Sequence, residues 1–595
     1  MARCSCGGWQ RNVFLVLVLV FVISGGELLA LQEQSGPASN NQTTQPTTVL
    51  KTTTRLVVVD VIATDRKGSA VTDLGQDDFT VLENGAAEKV RVFSFQQPAP
   101  STAAESKPVK APLPPNVFGN IRRTPLKGPL NVLLIDGLNT RMNNQEYVRS
   151  QLLEFLKKLP SDQPLAVYLL GSRLRLLQDF TSDPAVLRSL IENLNAPHSP
   201  LMENAFGGPE RFWLEGMPLP ADIKRRVLEF QQDTESSQMD HRVAITIAAL
   251  RTLARTLAGF PGRKNLIWVS ENIPIAILPN KVPDGEKAVG AMRNYGQAVA
   301  DIANLLADAH IAVYPIDARA LVNSYFSDPA VRFDPRGNGV TPGQAEADLA
   351  DELQPVHANM EQIAEDTGGR ATYNRNDIGN AIRRSMDDGS TYYTLAYYPQ
   401  NKSWDGRFRK ISVKVNRPGV KLRYRLGYFA TDPKDYGQRN ESQRDAEFSA
   451  TLNHDVPAAT ELGFEAMVLA PGARTNNKAV VVFAIDPRAL SFAKGTDGTQ
   501  SARVQCAVRV FAATSPDKAI KTEAEHVDAD LPPDSYSKVM QTGLPCRTNL
   551  ELPPGDYLLR LGVRDLQTGL IGTANGRLTI AKETPESAST AERKQ

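Results

Sequence analysis

Cysteine and histidine are scarce, at 4 and 6 of 595 residues. Their scatter leaves no Cys/His pattern with zinc-ligand spacing. Charge of one sign is also lacking. Lys and Arg number 67 against 66 Asp and Glu, a formal net charge of +1. No broad field is therefore available to hold nucleic acid or an anionic membrane surface. A Gly-x-Ser-x-Gly elbow and a phosphate-binding loop are both missing. His241, His310 and His357 are not paired in sequence with a Ser or Cys nucleophile, and Glu365 and Asp366 are adjacent carboxylates that point apart on a helix. No catalytic residue and no organic cofactor is assigned.

The apolar run Val13–Ile23 follows Arg3 and Arg11 and ends at Ser24-Gly25-Gly26. It is too short to span a membrane comfortably and has the proportions of a signal-peptide core. Residues 1–30 are expected to be a signal, with Leu28-Leu29-Ala30 as the cleavage site or, if uncleaved, a membrane anchor. That segment is the only expected contact with a membrane. Cys4 and Cys6 lie inside it, so Cys506 and Cys546 are the pair left in the mature chain. In an exported protein such a pair reads as a disulfide, the alternative being two separate buried thiols.

A chain of this length divides into three or four domains. Residues 31–50, rich in Gln, Ser, Thr, Asn and Pro, read as a disordered leader. Residues 51–97 read as a small β module, with β-branched alternation over Thr54–Thr64 and turns at Asp65-Arg66-Lys67-Gly68 and Glu83-Asn84-Gly85. Residues 98–128 carry Pro98, Pro100, Pro108, Pro112, Pro114 and Pro115 and read as a linker. Over 129–389 apolar strands alternate with helices. The strands are Leu130–Ile135, Leu165–Leu170, Asn265–Val269 and Ile311–Ile316, and Val243, Ile247, Leu250, Ala254 and Leu257 line one helix. This rhythm predicts a mostly parallel sheet wrapped by helices. Two insertions, 196–240 with Phe206, Phe212 and Trp213 and 319–354 with Tyr325, Phe326 and Phe333, are expected near the ligand edge, as partner-binding loops or as local covers. Strands over 390–430 should form a β-sandwich element beside this domain, or one joined to the Thr54–Phe95 module. Residues 431–446 read as a linker, 447–581 as an immunoglobulin-like β-sandwich, and 582–595 as a disordered tail.

The stretch Asn131–Thr140 runs through four apolar residues into Asp136. The residue ending a buried parallel strand lies at the carboxyl edge of the sheet, where α/β folds place ligands. Asp136 and Thr140 put oxygen donors there, which suit a hard cation such as Mg²⁺. Asp136 as a helix cap or turn residue is the plainer reading.

Several stretches together resemble the von Willebrand factor type A family, and more closely the exported von Willebrand-A-related proteins of Acidobacteria. They are Val58–Phe79, Asn131–Thr140, Arg173–Asp183, Gly262–Ser270 (Gly-Arg-Lys-Asn-Leu-Ile-Trp-Val-Ser), Ala364–Gly369 and Tyr392–Phe429. The resemblance spans about residues 55–430. It implies a Rossmann-like, mostly parallel sheet flanked by helices, in an adhesion or assembly module that is not an enzyme. It also implies a metal-ion-dependent adhesion site, completed by a partner's carboxylate. On that pattern the metal ligands are Asp136, Thr140, Thr181 and Glu271, holding Mg²⁺ or another divalent cation. Leu138 stands where a first hydroxyl belongs and Glu271 where an Asp belongs, so the site is degenerate. The expected function is that of an exported, non-catalytic protein-binding or adhesion protein. The alternatives are a secreted hydrolase or carbohydrate-acting enzyme with its site in the insertions, and a structural envelope protein without a specific ligand.

Overall fold

The computed structural model describes residues 56–97, 113–121, 129–159, 163–194, 220–274, 298–319, 342–432, 436, 440–472, 475, 478–495 and 497–581. The expected signal, leader and tail, and the insertion aromatics Phe206, Phe212, Trp213, Tyr325, Phe326 and Phe333, lie outside these. The described chain is mixed α/β with five sheets and divides into two compact units. One is drawn from 54–107 and 125–431, the other from 108–124 and 432–595.

The first unit is built on a five-stranded sheet in the order Ile311–Asp317, Lys264–Ser270, Leu130–Asp136, Leu165–Leu170, Leu174–Thr181. The first three pairings are parallel and the last is antiparallel. Every residue of Leu130–Asp136 is buried. Alternate side chains of this strand serve two cores, as a strand covered on both faces requires. Val132 and Leu134 pack with Leu250, Leu253, Leu306 and Met360. Leu133 and Ile135 pack with Leu152, Phe155, Leu187 and Ile382. The parallel register brings Asp136, Ser270 and Asp317 out at the same edge. Helix Pro342–Thr367 stops where Gly368 takes φ +79°. A Cβ on Gly369 would fall 1.9 Å from Val313 O, so only glycine lets the chain pass the edge strand there.

The insertion expected over 196–240 is only partly a loop. Residues from Ala221 belong to the 37-residue helix Ala221–Leu257. Its first half buries little, and good helix formers with pairs such as Arg226–Asp222 (2.8 Å) carry it. The second insertion likewise ends in helix from Pro342.

The segments 51–97 and 390–430 form one β module together, by pairing with each other. Val57–Thr64 lies between Lys421–Arg423 and Tyr392–Tyr397, and Val90–Gln96 closes that sheet. The second sheet runs Gly427–Phe429, Phe408–Val415, Phe79–Glu83, Ala86–Glu88. Val59, Val61, Val81, Leu395 and Ile411 share the core. Charged groups tie this module to the amino end of the parallel sheet. His310 Nδ1 lies 3.0 Å from Asp60 Oδ2, and Thr394 Oγ1 donates to Asp60 Oδ1 at 2.8 Å. Burial would raise the Asp60 carboxyl, but His310, Arg263 and Thr394 outweigh it and hold it below its usual range. Arg263 donates to Gly368 O (2.7 Å) and Tyr314 Oη (3.2 Å).

Lys264 is buried beside this junction and donates to Ala309 O at 2.8 Å. Burial lowers its ammonium to about 8, against the pull of Asp60. The folded value therefore lies below the ordinary 10.5. Between the two, the unfolded chain holds more protons, so this group's contribution to stability improves as pH rises from 8 to 10.5. At neutral pH Lys264→Met is expected to be the more stable protein by about 1–2 kcal/mol, after the lost hydrogen bond is subtracted. The gap to wild type should narrow between pH 8 and 10 in urea titrations. A gap independent of pH would disprove the assignment.

The second unit is antiparallel throughout. One sheet runs Leu544–Leu550, Ala479–Ile485, Phe464–Leu469, Val117–Gly119. The other centres on Gln500–Ala512, flanked by Ser515–Leu531 on one side and on the other by Gly555–Asp565, Ile571–Ile580 and short Ala493–Lys494. Both sheets contribute to one core. Two expectations are corrected. The stretch read as linker over 98–128 supplies the edge strand Val117–Gly119, whose alternation is too short to register in sequence. The linker expected over 431–446 runs into helix Glu441–Thr451, capped by Asn440. Phe464–Leu469, Ala479–Ile485 and Leu544–Leu550 pair in one sheet, and Gln500–Ala512, Gly555–Asp565 and Ile571–Ile580 in the other, the pairing that strands A, B, E and C, F, G have in an immunoglobulin-like sandwich. Cys506 and Cys546 form a disulfide across the two sheets, with Cα atoms 6.6 Å apart.

Candidate functional site

The carboxyl edge of the parallel sheet gathers Asp136, Thr140, Ser270, Glu271 and Asp317. Asp136 ends its strand with 1% exposure. Its Oδ1 accepts from Leu138 N (3.0 Å) and Asn139 N (2.9 Å), and its Oδ2 from Asn139 Nδ2 (3.0 Å) and Trp268 Nε1 (3.0 Å). Ser270 Oγ, 2.9 Å from Oδ2, has its single proton contested by Asn272 O at 2.7 Å. Burial pushes the Asp136 carboxyl above its usual value, and these donors pull the other way.

Glu271 is as deeply buried, at 1% exposure. Its Oε2 accepts from Arg141 N (2.9 Å) and Asn144 Nδ2 (3.0 Å), and Arg141 Nε lies 3.6 Å from Oε1. The helix Met142–Leu156 has no side-chain cap of its own, and Arg141 is its N-cap. A carboxylate from the neighbouring strand thus sits at the positive end of the helix and takes a backbone N–H that would otherwise be unpaired. Glu271→Ala is expected to cost about 1–2 kcal/mol in urea unfolding, and Glu271→Gln to recover part of it. Equal losses in both would show that the charge, not the acceptor, matters. Thr140 Oγ1 accepts from Glu271 N at 3.2 Å, binding the two loops together.

Asp136, Thr140 and Glu271 therefore do converge. Thr181 does not. It pairs with Leu165, at the amino end of the strand whose carboxyl end, Leu170, pairs with Asp136. Five residues of strand, roughly 16 Å, separate it from the site. Its Oγ1 accepts from Asp183 N (3.1 Å), and Asp183 caps the next helix through Ala185 N (2.9 Å). The strand Leu174–Thr181 turns back antiparallel, which spacing alone did not reveal.

The residues present do not fit a divalent cation. A carboxylate offers about four lone-pair sites, and four N–H groups already point at those of Asp136. Glu271 is engaged by the helix start. Leu138 is buried and apolar where an oxygen is needed. Among the described residues no group of three or more His, Cys, Asp or Glu is placed to hold a metal.

Sequence reading missed Asn139, Trp268, Ser270, Arg242 and Thr246. Trp268 and Ser270 are two apart on a strand adjacent to Asp136, so they share its face. Arg242 and Thr246 are buried with Ala249 and Leu253 at helical spacing. A polar pair on that stripe was the available signal for a buried partner. Thr246 Oγ1 accepts from Asn139 Nδ2 at 3.3 Å.

Farther along the edge, His357 Nε2 lies 3.1 Å from buried Asp317 Oδ2, and Arg319 pairs with the same carboxylate at 3.0 Å. Burial would raise the Asp317 carboxyl, but His357 and Arg319 outweigh it and hold it low. The imidazole stacks on Tyr373 at 4.1 Å. This pair can orient a base, yet among the described residues no hydroxyl or thiol nucleophile is hydrogen-bonded to His357.

No family model matches the chain, and no curated protein matches it. Among solved structures the chain is similar to an aerotolerance-related membrane protein from Bacteroides fragilis at 12% identity, covering 44% of this chain and 99% of that one with TM-score 0.22. It is also similar to BatB from Bacteroides thetaiotaomicron (12%, 44% and 97%, TM-score 0.19). A von Willebrand factor type A protein from Catenulispora acidiphila follows (9%, 55% and 72%, TM-score 0.18).

Proposed function

We propose that the chain is an exported, non-catalytic interaction or adhesion protein. In this reading the carboxyl edge of its von Willebrand-A-like sheet meets a protein partner without a metal ion. The observation that carries it is the full engagement of Asp136 and Glu271 by the protein's own donors, which makes the edge a rigid surface rather than a reacting centre. Arg141, with a side chain 43% exposed, stands at that edge beside Glu271 and is the cation that a partner carboxylate would meet. The signal-like residues 1–30 support export.

The test is capture of cell-envelope proteins on the immobilised mature protein. Capture should survive EDTA and fall about tenfold, near 1.4 kcal/mol, with Arg141→Glu. Loss in EDTA, or indifference to Arg141→Glu, sinks the reading, and no capture at all favours a structural envelope protein. The Asp317–His357 pair favours a second reading, a secreted hydrolase. Turnover of polymer substrates that disappears in His357→Gln would establish it.

A further inference from the structure

The strand Ser515–Leu531 is 17 residues long and is held to its sheet along one side, by Gln500–Ala512. Among the described residues no strand pairs with its other side. Proteins blunt such edges with short strands, bulges or charge. Register shifts do occur here, but only at the hairpin end, before Lys521. From Lys521 to Leu531 the pairing is unbroken, which leaves roughly 35 Å of regular open edge. The charges of the strand fall in two blocks. Lys518 and Lys521 come first, and Glu523, Glu525, Asp528 and Asp530 follow. An edge of one sign throughout repels its own copy. A divided edge accepts its copy when the copy runs the other way.

We propose that this edge joins two copies of the chain, strand Ser515–Leu531 of one running antiparallel to the same strand of the other across a two-fold axis near Thr522. That register sets Lys521 of each copy opposite Glu523 of the other and brings Lys518 toward Glu525. Lys521 and Glu523 share one face of the strand, where their side chains meet at 3.0 Å. Two such pairs side by side make one alternating group of four charges. The side chains of Lys518 and Glu525 are exposed, and neither is paired with another described residue. Ile520, 53% exposed, comes to lie opposite Ala524 of the second copy and is removed from water. The remaining acids have partners inside the chain. Arg503 Nε stands 3.6 Å from Asp528, and Ser501 Oγ donates to Asp530 at 2.5 Å. A parallel pairing in register would set Lys beside Lys and Glu beside Glu. The antiparallel contact is isologous, so it closes at a dimer.

The contact is independent of whatever the sheet edge of the first unit binds, and the variants that test it leave that edge untouched. The experiment is sedimentation equilibrium of the mature chain, in wild type and two double variants. Lys518→Glu with Lys521→Glu makes the strand acidic throughout, and Glu523→Lys with Glu525→Lys makes its middle basic. A contact of two strands is small, so over about 1–200 µM wild type should dimerise with a Kd on the order of 10 µM. The dimer should weaken as NaCl is raised from about 50 to 500 mM. Each double variant alone should lose at least about tenfold in affinity while melting within about 3 °C of wild type. Mixed in equal amounts, the two should form a heterodimer with about the wild-type affinity, since acidic strand then meets basic strand. A wild type that stays monomeric overturns the proposal and leaves the edge to a strand from a different protein. So does a dimer that both double variants retain, or a mixture that stays monomeric. If a double variant does not fold, Glu525→Lys alone decides, with a loss of about threefold expected and none overturning the proposal.

Discussion

Replacing Arg409 by Met is expected to destabilise the first unit by about 3–5 kcal/mol, the cost of orphaning a buried charge. Arg409 and Glu83 are 2% and 4% exposed and lie inside the two-sheet module. Arg409 Nη1 is 3.1 Å from Glu83 Oε1 and also donates to Asn401 O at 2.8 Å. Tyr397 and Tyr428 each donate a hydroxyl to Glu83 Oε2 at 2.9 Å. The guanidinium stands 5.3 Å from the Trp404 ring centre. Without it, Glu83 keeps two phenol donors but no counter-charge. Burial, and then the charge of Glu83, push both phenols well above their usual value, so they remain donors in mild alkali. The double variant Glu83→Leu with Arg409→Met should regain much of the loss, since a packed apolar pair can equal a buried ion pair. A double-mutant cycle in guanidinium chloride reads this directly. A single-variant cost under about 1 kcal/mol would mean the network is no more than tolerated.

Reducing the Cys506–Cys546 bridge is the second large effect. It closes a 40-residue loop and links the two sheets of the second unit through fully buried sulfurs. Loop-closure entropy puts its contribution at about 4 kcal/mol, a loss on the order of 10 °C in melting for a unit of this size. The comparison is between native protein and protein reduced and alkylated under mild denaturation. Replacement of both cysteines by Ala should act in the same direction, with a further cost for the cavities. An unchanged melt after verified reduction would show that the core alone sets the stability of this unit.

What could be read from sequence was what depends on local pattern. The run Asn131–Ile135 reads as a strand buried on both sides because nothing polar interrupts it before Asp136, and Asp136 emerges at the edge for the same reason. Gly368-Gly369 reads as a helix stop. What escaped depends on partners distant in the chain. That the strands over 390–430 join the module of Thr54–Thr64 was readable as an option, but nothing in Thr54–Thr64 singles out Tyr392–Tyr397, more than three hundred residues on, as its neighbour, and nothing in Asn139 names Thr246. Thr181 was misplaced because it was assigned by resemblance alone, and the antiparallel strand Leu174–Thr181 that carries it to the other end of the sheet was not read in the sequence. Helix Ala221–Leu257 was cut short because its first half has no apolar stripe to mark it. At the site, the oxygen donors were legible and their prior engagement was not. Hydrogen bonds from Trp268 and from the Asn139 side chain turn a ligand set into a closed network.

The strand Val117–Gly119 has a bearing on how this chain can be made and cut. It is synthesised before the whole parallel sheet, yet its partner Glu465–Met467 emerges only after that sheet is complete. Until then Val117–Gly119 has no mate. A fragment begun at residue 432, the natural place to cut by contiguity, would leave the edge of Phe464–Leu469 bare permanently. The cheapest remedy for such a fragment is to borrow a strand from another molecule. Dissection of this protein into parts therefore has to follow its pairing, with residues 108–124 kept attached to the carboxyl-terminal segment from residue 432.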